Sequence, residues 1–198
     1  VGFLTNNCTF SVLSEELLAN CRKFNCGHDD LNDFFANDSQ NYSRELLGKS
    51  YCFLLDKDPE EIVCAFTISN DSIKTNFLPN SRKRKVNKEI PRVKHFRSYP
   101  AVLIGRLGVS EKFKNNGIGR ELMDFIKSWF IDRENKTGCR FVVVDSYNEE
   151  IPKAYYLKND FTFLFSTEEQ EKKYMGLPDE QQLKTRLMYF DLILLSSD

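Results

Sequence analysis

Residues 99–145 hold the feature that most limits what this chain can fold into. They run from the apolar stretch "YPAVLIGRLGV" through "SEKFKNNGIG" into "RELMDFIKSWFIDREN", and on to "CRFVVVDS". Ile118, Leu122, Phe125, Ile126, Trp129 and Phe130 recur at helical spacing and form one apolar stripe. The flanking stretches are short, apolar and rich in β-branched residues, as buried strands are. A strand, a helix and a second strand in that order make a right-handed parallel crossover, whose sheet needs helices over its faces. The predicted class is α/β, with a mixed sheet around this central parallel pair.

The remaining segments fit around that unit. "CTFSVLS" reads as a first strand. Residues 28–47 read as a helix with Leu31, Phe34, Phe35, Tyr42 and Leu46 on one face, His28 at its start and Asp29 or Asp30 as its cap. "SYCFLLD" and "EIVCAFTISND" read as a hairpin turning at "KDPEE". "EEIPKAYYLKND" reads as a short helix that tolerates Pro152 in its first turn. "FTFLFS" and "TRLMYFDLILL" read as late antiparallel strands. No repeat or linker marks a boundary, so residues 1–198 are expected to form a single domain. A basic arm at residues 79–98, punctuated by Pro79 and Pro91, interrupts it.

The arm stands out only locally. The whole chain has a net charge of −1, yet "SRKRKVNKEIPRVKHFR" carries eight Lys or Arg against one Glu, which leaves 20 basic and 28 acidic residues elsewhere. Such a patch on an acidic body suits a polyanion, and His95 lies within it. The six cysteines form no CxxC pair and there are only two histidines. Reduced thiols, no metal site and a cytoplasmic location are therefore expected. The first ten residues lack a basic and apolar leader, and no apolar run is long enough to span a membrane.

The turn "KFKNNGIGREL" leads from a strand end into a helix N-terminus. There unpaired N–H groups and the helix dipole favour an anion, typically phosphate. Gly117 and Gly119 let the backbone come close to it, and Lys114 and Arg120 add charge. A Walker A loop would need Lys and Ser or Thr after the last glycine, where Arg120 and Glu121 stand. A dinucleotide fingerprint would need glycine at Leu122. A pyrophosphate loop of acyl-CoA enzymes and a tight turn with no ligand both remain.

"IGRLGVSEKFKNNGIGRELMDFI" resembles motif A of the GNAT N-acetyltransferase superfamily, with Lys114 where Arg or Gln is usual. "YNEEIPKAYYLKNDF" resembles a second segment of that family, with Asp160 in place of a glycine. "FNCGHDDLNDFF" and "IPRVKHFRSYPAVLIGRLGV" are similar to the toxin-type members that acetylate aminoacyl-tRNA, with Asn32 where Asp is usual. The resemblance spans roughly residues 3–165.

It implies a GNAT-like sheet whose central parallel strands splay apart, and acetyl-CoA as cosubstrate. It implies that the backbone of Leu107, Gly108 and Val109 meets the thioester. Lys114, Asn115, Asn116, Gly117, Ile118, Gly119 and Arg120 would hold the pyrophosphate, and Asn148 would contact the cofactor. Tyr156 would hydrogen-bond the sulfur as the catalytic acid. The implied activity is acetyl transfer to a primary amine, with the α-amine of aminoacyl-tRNA as acceptor. That acceptor would be bound through Arg82, Lys83, Arg84 and Lys85. An antitoxin partner and a homodimer belong to the same implication. The alternatives are a small-molecule or peptide amine as acceptor, or a non-catalytic CoA-fold module that binds RNA or a partner.

Overall fold

The computed structural model describes residues 2–90 and 96–196; residues 91–95, which include His95, lie outside the described part of the basic arm. Along the chain come α1 (Phe3–Asn7), β1 (Cys8–Val12), α2 (Glu15–Asn20), α3 (Asp29–Asp33), a π-helical turn (Phe34–Asp38), α4 (Ser39–Arg44), β2 (Lys49–Leu55) and β3 (Asp58–Lys74). A 3-10 turn (Thr75–Phe77), α5 (Asn80–Val86), β4 (Ser98–Val109), a second 3-10 turn (Glu111–Phe113) and α6 (Ile118–Ile131) follow. The chain continues through β5 (Phe141–Tyr147), α7 (Glu150–Lys158), β6 (Thr162–Phe163), α8 (Glu168–Met175) and β7 (Thr185–Asp191), and ends in a 3-10 turn (Leu192–Leu195).

The strands are hydrogen-bonded in the order β1-β2-β3-β4-β5-β7-β6, with β4 and β5 parallel. This is the mixed α/β sheet expected from the crossover. The chain forms two compact units, Val1–Ser69 with Ile104–Ile126 and Asn70–Leu103 with Lys127–Asp198. β3, β4 and α6 each contribute residues to both.

In the first unit, strand alternation separates two apolar layers. Cys52, Ile62 and Ala65 join Leu13, Phe24, Phe34 and Phe35 in one cluster. Phe10 and Phe53 point the other way, their rings 4.8 and 4.9 Å from Phe125 of α6. Ile118, Leu122, Met123 and Ile126 bury the rest of that helix face. The helix expected over 28–47 is shorter and contains an insertion. Its extra residue is taken up by the π-turn, where the Ser39 hydroxyl donates to the Phe35 carbonyl (3.0 Å) and both Phe34 and Phe35 are buried. Leu46 lies beyond the helix end, left-handed (φ 59°) and 89% exposed. His28 holds the cap position, and Asp29 and Asp30 occupy the first turn, where the helix dipole favours them. The hairpin turns more tightly than expected, at Asp56 and Lys57, and β3 runs on to Lys74.

In the second unit, Ile73, Leu78, Val86, Tyr99, Phe141, Val143, Phe165 and Tyr189 form the core. The stretch "FTFLFS" is a strand only at Thr162 and Phe163. Arg82 explains part of this. Its guanidinium donates to the Leu164 carbonyl (2.7 Å) and also to the Phe163 carbonyl, taking acceptors that a longer strand would use. α8 was not expected; Thr167 caps its start and the left-handed Gly176 ends it.

Arg82 is therefore committed to the fold, unlike its neighbours Arg84 and Lys85, which are exposed. Arg82→Ala should lower stability by about 1–3 kcal/mol through the carbonyls it leaves unpaired, and Arg84→Ala should change it by less than about 0.5 kcal/mol. Urea unfolding of the two variants checks this; equal midpoints would refute the anchoring role.

Candidate functional site

The loop between β4 and α6 is built by contacts within the first unit. Gly108 is buried near the end of β4, where a side-chain carbon would lie 3.0 Å from both Cβ and Sγ of Cys26 and 3.3 Å from Phe24. Glycine lets the segment around Cys26 pass this close, where any side chain would push Cys26 and Phe24 back by a few tenths of an ångström. Leu107 and Val109 on either side are half-buried. Beyond them the Ser110 N–H donates to the Val63 carbonyl (2.9 Å) and the Glu111 N–H to the Asn25 carbonyl (3.0 Å).

An asparagine cluster braces this turn. The Asn25 Oδ1 accepts from the Gly27 N–H (2.8 Å) and from Asn32 Nδ2 (2.9 Å), and Asn25 Nδ2 donates to Glu111 (3.1 Å). Asn32 Oδ1 in turn accepts from the Cys26 N–H (2.8 Å). The left-handed Gly27 (φ 72°) keeps the space for it, since a methyl there would lie 2.4 Å from Glu111 Oε1 and 2.9 Å from Lys114 Nζ. Burial pushes the Cys26 thiol up, so it is a packing group and not a ready nucleophile.

A second anchor is ionic. Lys112 Nζ lies 2.6 Å from Glu61 Oε2, which also receives Arg22 at 3.1 Å. Burial alone would raise the Glu61 carboxyl, but the hydrogen bonds from Lys112 and Arg22 outweigh it and hold it below the usual glutamate range.

Asn115 (φ 64°) and Gly117 (φ 78°) are left-handed at the loop tip. Successive turns of this kind aim backbone N–H groups into one concavity, an anion nest. The Gly117 carbonyl accepts from the N–H groups of Arg120 and Glu121 (3.1 Å each), which makes Gly117 the cap of α6. A Cβ on Gly117 would meet nothing within 4 Å, so the space over it is open. Lys114, Asn115, Asn116 and Arg120 are exposed around that space. Ile118 sinks its side chain into the core and offers the loop only backbone. Gly119 follows it in the first helical turn.

The second unit holds the two remaining expected residues. Tyr156 lies on α7, partly buried, its ring 5.4 Å from Phe161 and 5.0 Å from Tyr155, and burial pushes its phenol well above the ordinary tyrosine range. α7 ends in a Schellman turn: the Phe161 N–H donates to the Tyr156 carbonyl (3.0 Å) and the Asp160 N–H to Leu157 (3.1 Å). Asp160 takes the left-handed position (φ 64°), so aspartate serves where glycine is usual. Lys127, 3% exposed, donates to the Asn159 carbonyl (2.7 Å) and lies 3.8 Å from the Phe190 ring centre. Asn148 Nδ2 donates to Glu168 (2.9 Å) and to the Leu183 carbonyl (3.1 Å), and its oxygen accepts from Lys153 (2.8 Å). Its amide is thus bound to protein groups.

Asn25, Asn32, Glu61 and Lys127 were not singled out as site residues from the sequence. The spacing Asn25-x-Gly27 is an Asx-turn signal and was open to reading. Glu61 and Lys127 carry no local signal. A separate cavity of about 330 Å³, among Phe130, Lys136, Cys139, Arg140 and Ile193, lies beside the last turn of α6.

No family model matches the sequence, and comparison with curated protein sequences finds no match. Solved structures share the fold. A mutant of KacT with one tyrosine replaced by phenylalanine aligns with a TM-score of 0.65 at 17% identity, over 96% of this chain and 98% of that one. AtaT complexed with acetyl-methionyl-tRNAfMet gives 0.64 at 17% identity, over 96% and 97%. AtaTR bound with AcCoA gives 0.61 at 16% identity, over 96% and 98%.

The Glu61 anchor makes a pH-dependent prediction. A carboxyl held below its unfolded value adds stability above that value, and this is lost as pH falls through the folded one. Glu61→Gln should cost about 1 kcal/mol at neutral pH, because both cations are half-exposed, and the gap should close below about pH 4. Urea unfolding at the two pH values checks it; a gap of constant size would refute the ionic anchor.

Proposed function

We propose that the protein is an acetyl-CoA-dependent N-acetyltransferase whose acceptor is the α-amine of aminoacyl-tRNA. The observation that carries this is the β4–α6 loop, with its left-handed Asn115 and Gly117, open space over Gly117 and a helix N-terminus behind it. Those groups suit a pyrophosphate. The fold shared with AtaTR bound with AcCoA and with AtaT complexed with acetyl-methionyl-tRNAfMet supports the cofactor and the acceptor.

Acetyl-CoA, when bound, supplies an activated thioester. The backbone of residues 115–119 would hold its pyrophosphate, with Lys114 and Arg120 adding charge. Backbone N–H groups of Leu107, Gly108 and Val109 would polarise the thioester oxygen. An α-amine titrates near ~8, so part of it is already neutral at neutral pH and can attack without a strong base. In the reaction the C–N bond forms, the C–S bond breaks, the amine loses a proton and the sulfur ends protonated. Tyr156 stays protonated in its desolvated position, so it acts as a hydrogen-bond donor to the departing sulfur. Asn148 serves by fixing the step from β5 into α7, the helix that carries Tyr156. A partner protein that restrains the activity belongs to the same proposal, supported by the shared fold of a tyrosine-to-phenylalanine mutant of the AtaT toxin bound to the C-terminus of the antitoxin AtaR.

The direct test is transfer of label from radioactive acetyl-CoA to aminoacyl-tRNA, against free amino-acid amides and lysine peptides. Label reaching only the amides or peptides would move the acceptor class, and no transfer at all would end the enzymatic reading.

Two variants probe the roles. Gly119→Asp, which places a negative side chain in the first turn of α6, should abolish measurable acetyl-CoA binding by calorimetry and leave the fold intact; unchanged binding would refute the loop assignment. Tyr156→Phe should lower kcat by about 100-fold with little change in KM, because the lost bond matters mainly in the transition state. An unaltered kcat would reduce Tyr156 to packing.

A further inference from the structure

Phe77 and Phe96 are, among the described residues, the only aromatic side chains left exposed, at 63% and 56%. The backbone segments that carry them are tied together. The Thr75 N–H donates to the Arg97 carbonyl (3.0 Å) and the Thr75 hydroxyl to the Phe96 carbonyl (2.7 Å), which sets the turn Thr75–Phe77 beside residues 96–97. Thr75 and Leu78 are buried on either side of Phe77, so its outward position is imposed by its neighbours. Phe96 packs its ring against Tyr99, 5.8 Å away, and still shows more than half its surface.

α5 follows directly. Val86 is buried and Arg82, one turn before it, reaches inward to Leu164; Arg84 lies on the opposite side of the helix, Lys85 is exposed on the flank beside Arg82, and Lys88, just beyond the helix end, and Arg97 are exposed as well. Glu89 pairs with Lys88 at 3.3 Å. Cations alone suit any polyanion, and exposed rings alone suit any apolar partner. Rings and cations together suit a strand whose bases are unpaired, because every free base has a face that stacks and a phosphate that pairs. A duplex hides the faces.

We infer that Phe77 and Phe96 are a stacking platform for unpaired RNA nucleotides, with Arg84, Lys85, Lys88 and Arg97 along the phosphates. The inference rests on the aminoacyl-tRNA reading and adds which part of the RNA is held: an unpaired end, not the stem.

The test uses the full chain, a short unstructured RNA ending in CCA, and the same RNA paired to its complement, in anisotropy titrations over a range of salt. Phe77→Ala with Phe96→Ala should weaken binding of the unpaired RNA by about 10-fold or more and leave its salt slope unchanged. Replacing Arg84, Lys85 and Lys88 by Gln should flatten that slope. Both aromatics are exposed, so circular dichroism should show both variants folded. Wild-type affinity in the double Phe variant overturns the platform. No binding of either RNA by wild type at low salt also overturns it, and leaves the two rings to a protein partner. If the platform behaves as stated but no amine accepts label, the catalytic reading falls and the platform stands. If the double Phe variant acetylates aminoacyl-tRNA with wild-type KM, the platform falls and the catalytic reading stands.

Discussion

The turn from β4 into α6 demands two left-handed residues within three positions, and one of them, Asn115, is not glycine. A left-handed residue with a Cβ costs about 1–2 kcal/mol, less for Asn, so the turn holds only if its surroundings hold it. Much of the first unit meets that need. Gly108 lets the segment around Cys26 press on β4, Asn25 and Asn32 tie that segment to Glu111, and Glu61 takes Lys112. Each bond is modest. Together they order the loop before any ligand arrives, which lowers the entropy cost of binding an anion there.

The second unit applies the same economy to α7. The last carbonyls of a helix need partners, and here two come from the Schellman turn and one from a lysine buried on the final turns of α6. A buried ammonium is costly unless it is bonded, so Lys127 is a demanding choice. Its reward is position: a cation at a helix C-terminus meets the negative end of the dipole and lies over the face of Phe190. Tyr156 sits three residues before the carbonyl that Lys127 holds, so its helix is tied at the end nearest it.

These arrangements mark how far the sequence could be read. The β4–α6–β5 crossover was legible because its signals are local and agree: apolar runs of strand length, a clean stripe and glycines at the turn. The α7 helix was legible for the same reason, and Asp160 was the visible irregularity in it. What escaped reading depends on contacts far apart in sequence. Glu61 and Lys112 are unremarkable surface letters until β3 brings one beside the other. Lys127 sits inside a helix whose stripe would be read without it. The helix expected over 28–47 was legible along most of its length and overrun at its end: Leu46 keeps helical spacing with Tyr42, but the helix stops at Arg44 and Leu46 turns left-handed beyond it.

Charge shows the same limit more sharply. The eight basic residues of segment 81–97 look alike in a count, and the fold sorts them. Arg82 has a planar fork that can serve two carbonyls at once, a task a lysine ammonium performs poorly, and it is spent at the sheet edge formed by β6. Covering that edge removes acceptors that another chain could pair with. The cations left on the outer surface, with Arg97, number four among the described residues. A single strand releases about 0.7 counterions per phosphate neutralised, so four contacts give a salt slope of only about −3. Attraction of that size steers an RNA to the surface and holds it loosely. A tighter and better-positioned complex needs a contribution that salt does not screen, and on this surface the exposed rings of Phe77 and Phe96 are the groups able to supply it.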